Sequence, residues 1–227
     1  MVAGIDGCRG GWVMVTVPAD GVGTISVERV VCLKHVMALL DSGELCVAAI
    51  DIPIGLSKDG PRQCDVEARK MIGGRRSSVF TTPVRAVLGS KTYAEANSVS
   101  RSVSGKGMSR QAYALLPKIY EADLLMTPDR QVQVVESHPE VCFTILAGTP
   151  MAHHKATAEG RSERLAALRT VYPDVDAHAA KPMVRVAPED ILDAFVAAWS
   201  ARRWLTKSHV QLGGETDERG LRMEMIA

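Results

Sequence analysis

Three β-rich runs precede the first helical run of this chain, and that order limits its fold more than any other feature. Residues 2–5 form a short apolar run that ends at Asp6-Gly7. Residues 12–17 (Trp-Val-Met-Val-Thr-Val) are β-rich, residues 18–23 carry turn chemistry, and residues 24–31 read as a third strand. Together they predict an antiparallel meander. Residues 33–40 have helical spacing, and Gly43 stops them. Residues 45–50 are continuously apolar, as expected of a strand buried on both faces, and they end at Asp51 and Pro53. A doubly wound nucleotide fold would place a helix directly after its first strand. Here that position holds only residues 7–11, too short for a helix.

The pattern therefore predicts an α/β class with a ribonuclease-H-like mixed sheet: three antiparallel strands, then parallel strands, flanked by helices. The chain reads as a single domain over residues 1–227, with residues 57–126 as a basic helical and loop insertion within it. Within the insertion, residues 109–126 predict one helix with Ser109 as N-cap and Pro117 as a kink. Further on, residues 132–135 predict a strand ending at Glu136, and residues 141–146 and 162–172 predict helices. Residues 188–205 give the clearest helix, with Pro188 and two acids in the first turn and two arginines near its end. Residues 221–226 read as a last edge strand.

Composition excludes several classes. Hydrophobic residues make up 46% and charged residues 23%, which is ordinary for a folded chain. The formal charge of +1 gives no overall sign of a nucleic-acid partner. Aromatics at 4% argue against single-strand binding by base stacking. The five cysteines include no C-x-x-C pair, which argues against a zinc ribbon or a disulfide framework and for reduced thiols in the cytoplasm. No run reaches membrane-spanning length, so no membrane partner is expected. A homo-oligomer is compatible with everything here.

The chemistry concentrates in acids that follow apolar runs: Asp6, Asp51 and Glu136, with Asp193 in the last helix. Strands that run the same way bring such positions to one sheet edge, where open α/β sheets bind ligands. Carboxylates crowded together repel, and a cation relieves the conflict. All-oxygen donors favour Mg2+ or Mn2+. Two such ions can activate water and stabilise a leaving oxygen in phosphodiester cleavage. Asp6, Asp51, Glu136 and Asp193 are thus the candidate catalytic and metal-binding residues. Each has a plainer reading. Asp6-Gly7 is also a good hairpin-turn pair, Asp51 can simply end a strand, Glu136 can pair with an arginine, and Asp190 suits a helix first turn. Candidate substrate-binding residues are Arg75, Arg76, Ser77 and Ser78, a flexible stretch suited to phosphate, with Lys118 and His138. Gly4-x-Asp6-Gly7-x-x-Gly10-Gly11 lacks the order of a dinucleotide loop. It keeps open an ATP-dependent phosphotransferase of the actin-like type.

Several blocks carry a resemblance. They are Gly4-Ile5-Asp6-Gly7-Cys8-Arg9-Gly10-Gly11-Trp12, Asp51-Ile52-Pro53-Ile54-Gly55-Leu56, Gly74-Arg75-x-Ser77-Ser78-Val79-Phe80, Glu136-x-His138-Pro139-Glu140 and Asp190-x-x-Asp193-Ala194. In this order they resemble domain of unknown function 429 (DUF429), a predicted ribonuclease-H-like nuclease family. The resemblance implies a core distantly similar to Holliday-junction resolvases, with Asp6, Asp51, Asp193 and Asp190 at metal-binding positions. The expected activity is a metal-dependent hydrolase acting on nucleic acid or a phosphorylated small molecule. A non-catalytic binding module on the same fold is the remaining alternative.

Overall fold

The computed structural model describes residues 1–227. Its main sheet contains β1 (Val2–Cys8), β2 (Gly11–Val17), β3 (Ser26–Val30), β4 (Val47–Ile50) and β5 (Val134–Glu136), in the order β3-β2-β1-β4-β5. β1 pairs antiparallel with β2, and β2 with β3, while β1–β4 and β4–β5 are parallel. The class is α/β, and this mixed sheet is consistent with a ribonuclease-H-like fold. The meander is local and needs only tight turns. The parallel strands need crossovers, supplied by α1 (Leu33–Asp41) before β4 and by a long helical segment before β5.

That segment holds α2 (Gln63–Met71), two short 3₁₀ turns, α3 (Tyr93–Ser104) and α4 (Arg110–Leu125). Ser109 caps α4, its hydroxyl accepting from the Ala112 N–H at 3.0 Å. Pro117 lies inside α4. Beyond β5 come α5 (Pro139–Ala147), α6 (Ala158–Arg169), α7 (Val175–Ala179) and α8 (Pro188–Leu205). No helix is long and apolar enough to cross a membrane.

Strand alternation divides the core into two layers. Val2, Val13, Val15, Val47, Ala49 and Val135 face a layer shared with α8. Ala3, Ile5, Met14, Ala48, Ile50 and Val134 face a layer shared with α1 and α4. α8 lies directly on β1 because Gly4 has no side chain. A Cβ there would stand 2.0 Å from both the Ala194 carbonyl oxygen and the Ala198 nitrogen. Gly4 facing Ala194 and Ala198 is therefore a backbone-to-backbone contact, and it brings Asp193 over the end of β1.

Two expectations need correction. Asp6-Gly7 is not a turn: both residues are inside β1, paired with Val13 and Trp12, and the hairpin turns at Arg9-Gly10. The C-terminal strand, β7 (Arg222–Ile226), is not an edge of the main sheet. It pairs with β6 (Gln211–Thr216) in a separate hairpin. β6 was missed because its two central glycines erase the period-2 pattern.

Candidate functional site

The register between the parallel strands sets the site. Ile5 pairs with Ile50, and both belong to the layer of α1 and α4. One residue further along, alternation turns Asp6 and Asp51 to the α8 side, and the Asp51 N–H donates to the Ile5 carbonyl at 2.8 Å. Asp193 meets them from α8. Asp6 and Asp193 are buried, at 6% and 1% exposure, and Asp51 is half-buried. All three line one cavity of about 370 Å³.

Burial raises the proton affinity of all three carboxylates, and neighbouring acids add to this at Asp6 and Asp193. Asp6 is pushed well above the usual carboxylate range, by burial first and then by Asp51 and Asp193. Asp193 is pushed up to about 6, chiefly by burial, with Lys155 opposing. The Lys155 ammonium makes a direct ion pair with Asp193 and is held well above its ordinary value by Asp193, Asp6 and Asp51 despite burial. Even so, Asp193 Oδ1 is buried without a hydrogen-bond partner. One monovalent cation does not satisfy the cluster.

The cavity's other walls come from the insertion and from the start of α5. Arg75, Ser77, Ser78, Lys118 and His138 all line it. Lys118 lies across Trp12, 4.0 Å from the ring centroid, and donates to the Gly11 carbonyl. Gly7 leaves room for it, since a Cβ there would stand 3.1 Å from Lys118 Cδ. His138 Nε2 lies 3.4 Å from the Ser78 carbonyl oxygen, and its Nδ1 is buried without a partner. Arg75 pairs loosely with Glu140 at 3.6 Å. Glu140 is itself held by buried Arg164 at 2.5 Å. Asp190 stays in its first-turn role, its carboxylate accepting from the Ala187 N–H at 3.2 Å. It still adds to the negative field at Asp6.

Two expected site residues lie elsewhere. Arg76 lines a neighbouring groove, not this cavity. Glu136 pairs in register with Ile50, one residue out of step with Asp51. Its carboxylate is taken by Arg62, with Nη1 at 2.7 Å from Oε2 and Nη2 at 2.6 Å from Oε1, and by the Ile54 N–H at 2.7 Å. Arg62 Nη2 also holds Asp65 at 2.6 Å. Cys64, Asp65 and Glu136 place one ligand-type atom each within 4.8 Å of one another, a buried group that could hold a metal ion. An ion there has to displace the guanidinium, and burial pushes the Cys64 thiol well above its ordinary value, against the thiolate a metal needs.

Sequence reasoning missed Lys155. It sits alone in a loop with no recognisable spacing to Asp193, and only the packing of that loop against α8 reveals it. A family model described as "Protein of unknown function (DUF429)" matches residues 4–218, so the chain belongs to that family. No curated protein and no solved structure matches the chain.

Proposed function

We propose that this member of the DUF429 family is a metal-dependent phosphodiesterase whose cation is held by Asp6, Asp51 and Asp193. One observation carries the reading: acids from β1, β4 and α8 meet in a single cavity where Lys155 is the one cation bonded to them. The donor set fits a hard divalent ion such as Mg2+ or Mn2+, because it is all oxygen and leaves the buried Asp193 Oδ1 without a partner. When bound, such an ion supplies Lewis-acid polarisation of a phosphoryl oxygen and lowers the pKa of bound water.

The chain's own residues supply the rest. Ser77, Ser78, Arg75 and Lys118 line the same cavity as the acids and offer hydroxyl, guanidinium and ammonium donors to phosphate oxygens. His138 has one free buried nitrogen beside Asp51 and can hold or deliver a proton at the attacked or leaving oxygen. Lys155 offsets part of the acids' mutual repulsion until a divalent ion takes over. The substrate class is nucleic acid or a nucleotide-like phosphodiester.

The test is hydrolysis of bis(p-nitrophenyl) phosphate and of oligonucleotides with Mg2+ and with Mn2+, alongside Mn2+ binding by calorimetry. Asp51→Asn and Asp6→Asn are expected to lower turnover by roughly 100-fold or more, the scale of losing a charge-stabilising group, and to weaken Mn2+ binding. Activity that survives both substitutions would remove the metal assignment.

A further inference from the structure

We infer that the groove beside the acidic cavity binds a single strand of nucleic acid, with one base against Phe80 and neighbouring phosphates on Arg76 and Lys106. The groove has a volume of about 780 Å³ and shares Ser77, Phe80 and Gln111 with the acidic cavity, so the two lie side by side. Their charges differ: the cavity mixes Asp6, Asp51, Glu140 and Asp193 with Arg75, Lys118 and Lys155, whereas the groove's walls hold Arg69, Arg76 and Lys106 and no carboxylate.

Its walls are held in place before anything binds. Arg69 spends its donors on the Val79 and Phe80 carbonyls, at 3.1 and 2.9 Å, and so fixes the segment that carries Phe80. On the other side, Tyr93 Oη donates to the Met108 carbonyl at 2.9 Å, and the Met108 N–H donates to Asn97 Oδ1 at 2.9 Å. Ser100 Oγ donates to the Lys106 carbonyl at 2.7 Å. The backbone around Lys106 is therefore tied to α3, while the Arg76 and Lys106 residues themselves are exposed. Phe80 is partly exposed and lines both spaces. A strand supplies what this lining lacks: a flat π-face for Phe80 and phosphates for the two cations. Composition argued against stacking along a whole strand, but one base at one position needs one aromatic ring.

The inference rests on the phosphodiesterase reading only for which phosphate is attacked; binding is independent of it. The experiment is fluorescence anisotropy with labelled single strands of about ten nucleotides, DNA and RNA, in Ca2+ to suppress turnover. The wild type is expected to bind single strands more tightly than a duplex of the same sequence. Arg76→Ala with Lys106→Ala is expected to lower the slope of log affinity against log salt by about 1.4, two phosphate contacts at about 0.7 each. Phe80→Ala is expected to weaken binding roughly tenfold, with Phe80→Leu as the variant that keeps its packing. Arg130→Ala, whose arginine pairs with Asp41 away from the groove, is expected to change nothing. An unchanged salt slope in the double variant, or a duplex bound as tightly as the strand, would overturn the groove assignment. Should Asp51-dependent hydrolysis of bis(p-nitrophenyl) phosphate persist beside such a result, the cavity's chemistry stands without the groove. Groove-dependent strand binding with no hydrolysis of any ester gives the reverse.

Discussion

Two buried clusters of acids lie on either side of Asp51, and they resolve the same electrostatic conflict in opposite ways. Around Glu136 and Asp65, one guanidinium reaches both carboxylates through Nη1 and Nη2 at 2.6–2.7 Å. The planar fork matches the acceptors, and the Ile54 N–H adds another donor. Around Asp6, Asp51 and Asp193, a single ammonium bonds one acid and leaves an oxygen of that same acid unpaired. In the first cluster one cation bonds both acids, with only Asp65 Oδ2 left over, whereas in the second one cation bonds a single acid of three. Acids alone do not mark a metal site; acids whose charge the chain itself has not met do. The largest expected effect follows from the first cluster. Arg62→Met would leave Glu136 and Asp65 buried without their partner, at a cost of about 3–5 kcal/mol. Urea melts measure this directly, and a cost under about 1 kcal/mol would mean that the pair is solvated and the comparison fails.

The second cluster, with three acids to one bonded cation, predicts the opposite response to losing an acid. Asp193 has an ordinary value of 3.8 and is pushed up to about 6 in the folded chain. Between those values the folded state keeps a proton that the unfolded chain has released. Its contribution is thus fully present below pH 3.8 and is lost as pH rises through about 6. The loss for this one group is at most on the order of 3 kcal/mol, with the opposing charge of Lys155 already included. In chelator, the melting temperature is expected to fall as pH rises through that window. Asp193→Asn is expected to flatten the profile and to raise stability above it. Saturating Mn2+ is expected to restore the wild type but not the variant. A profile that stays flat in chelator would mean that the acids are already neutralised.

Much of the fold was legible because it is written in local patterns. The meander, α1 and α8 followed from period-2 runs, a glycine stop and Pro188 with its acids. The set Asp6, Asp51 and Asp193 was legible because each follows or interrupts an apolar run on a separate element. Glu136 has the same signature, yet it fell on the other side of the sheet. The difference is the register of β4 against β5, one residue in length, and nothing within either strand encodes it. Arg62 and Lys155 were illegible for a related reason. Their partners lie 74 and 38 residues away in sequence, and a lone cation in a loop carries no period. Arg75 and Arg76 look identical in sequence, but adjacent positions in a 3₁₀ turn point to different spaces, so one reached the cavity and the other the groove.

The smallest of these effects separates the two cations. Arg62 is 1% exposed and has no substitute, whereas Lys155 keeps 36% of its side chain in water, and a divalent ion can replace its charge. Lys155→Gln removes a cation that already bonds Asp193, so an incoming ion no longer has to displace it. Mn2+ affinity is therefore expected to rise about tenfold, or about 1.4 kcal/mol, while the chelated protein loses about 1 kcal/mol of stability for its less balanced acids. Calorimetry reads the first effect and urea melts in chelator the second. Weaker Mn2+ binding in Lys155→Gln would mean that the ammonium organises the carboxylates for the ion rather than competing with it. The contrast with Arg62 would then be one of degree, with both cations serving as fixed parts of the fold.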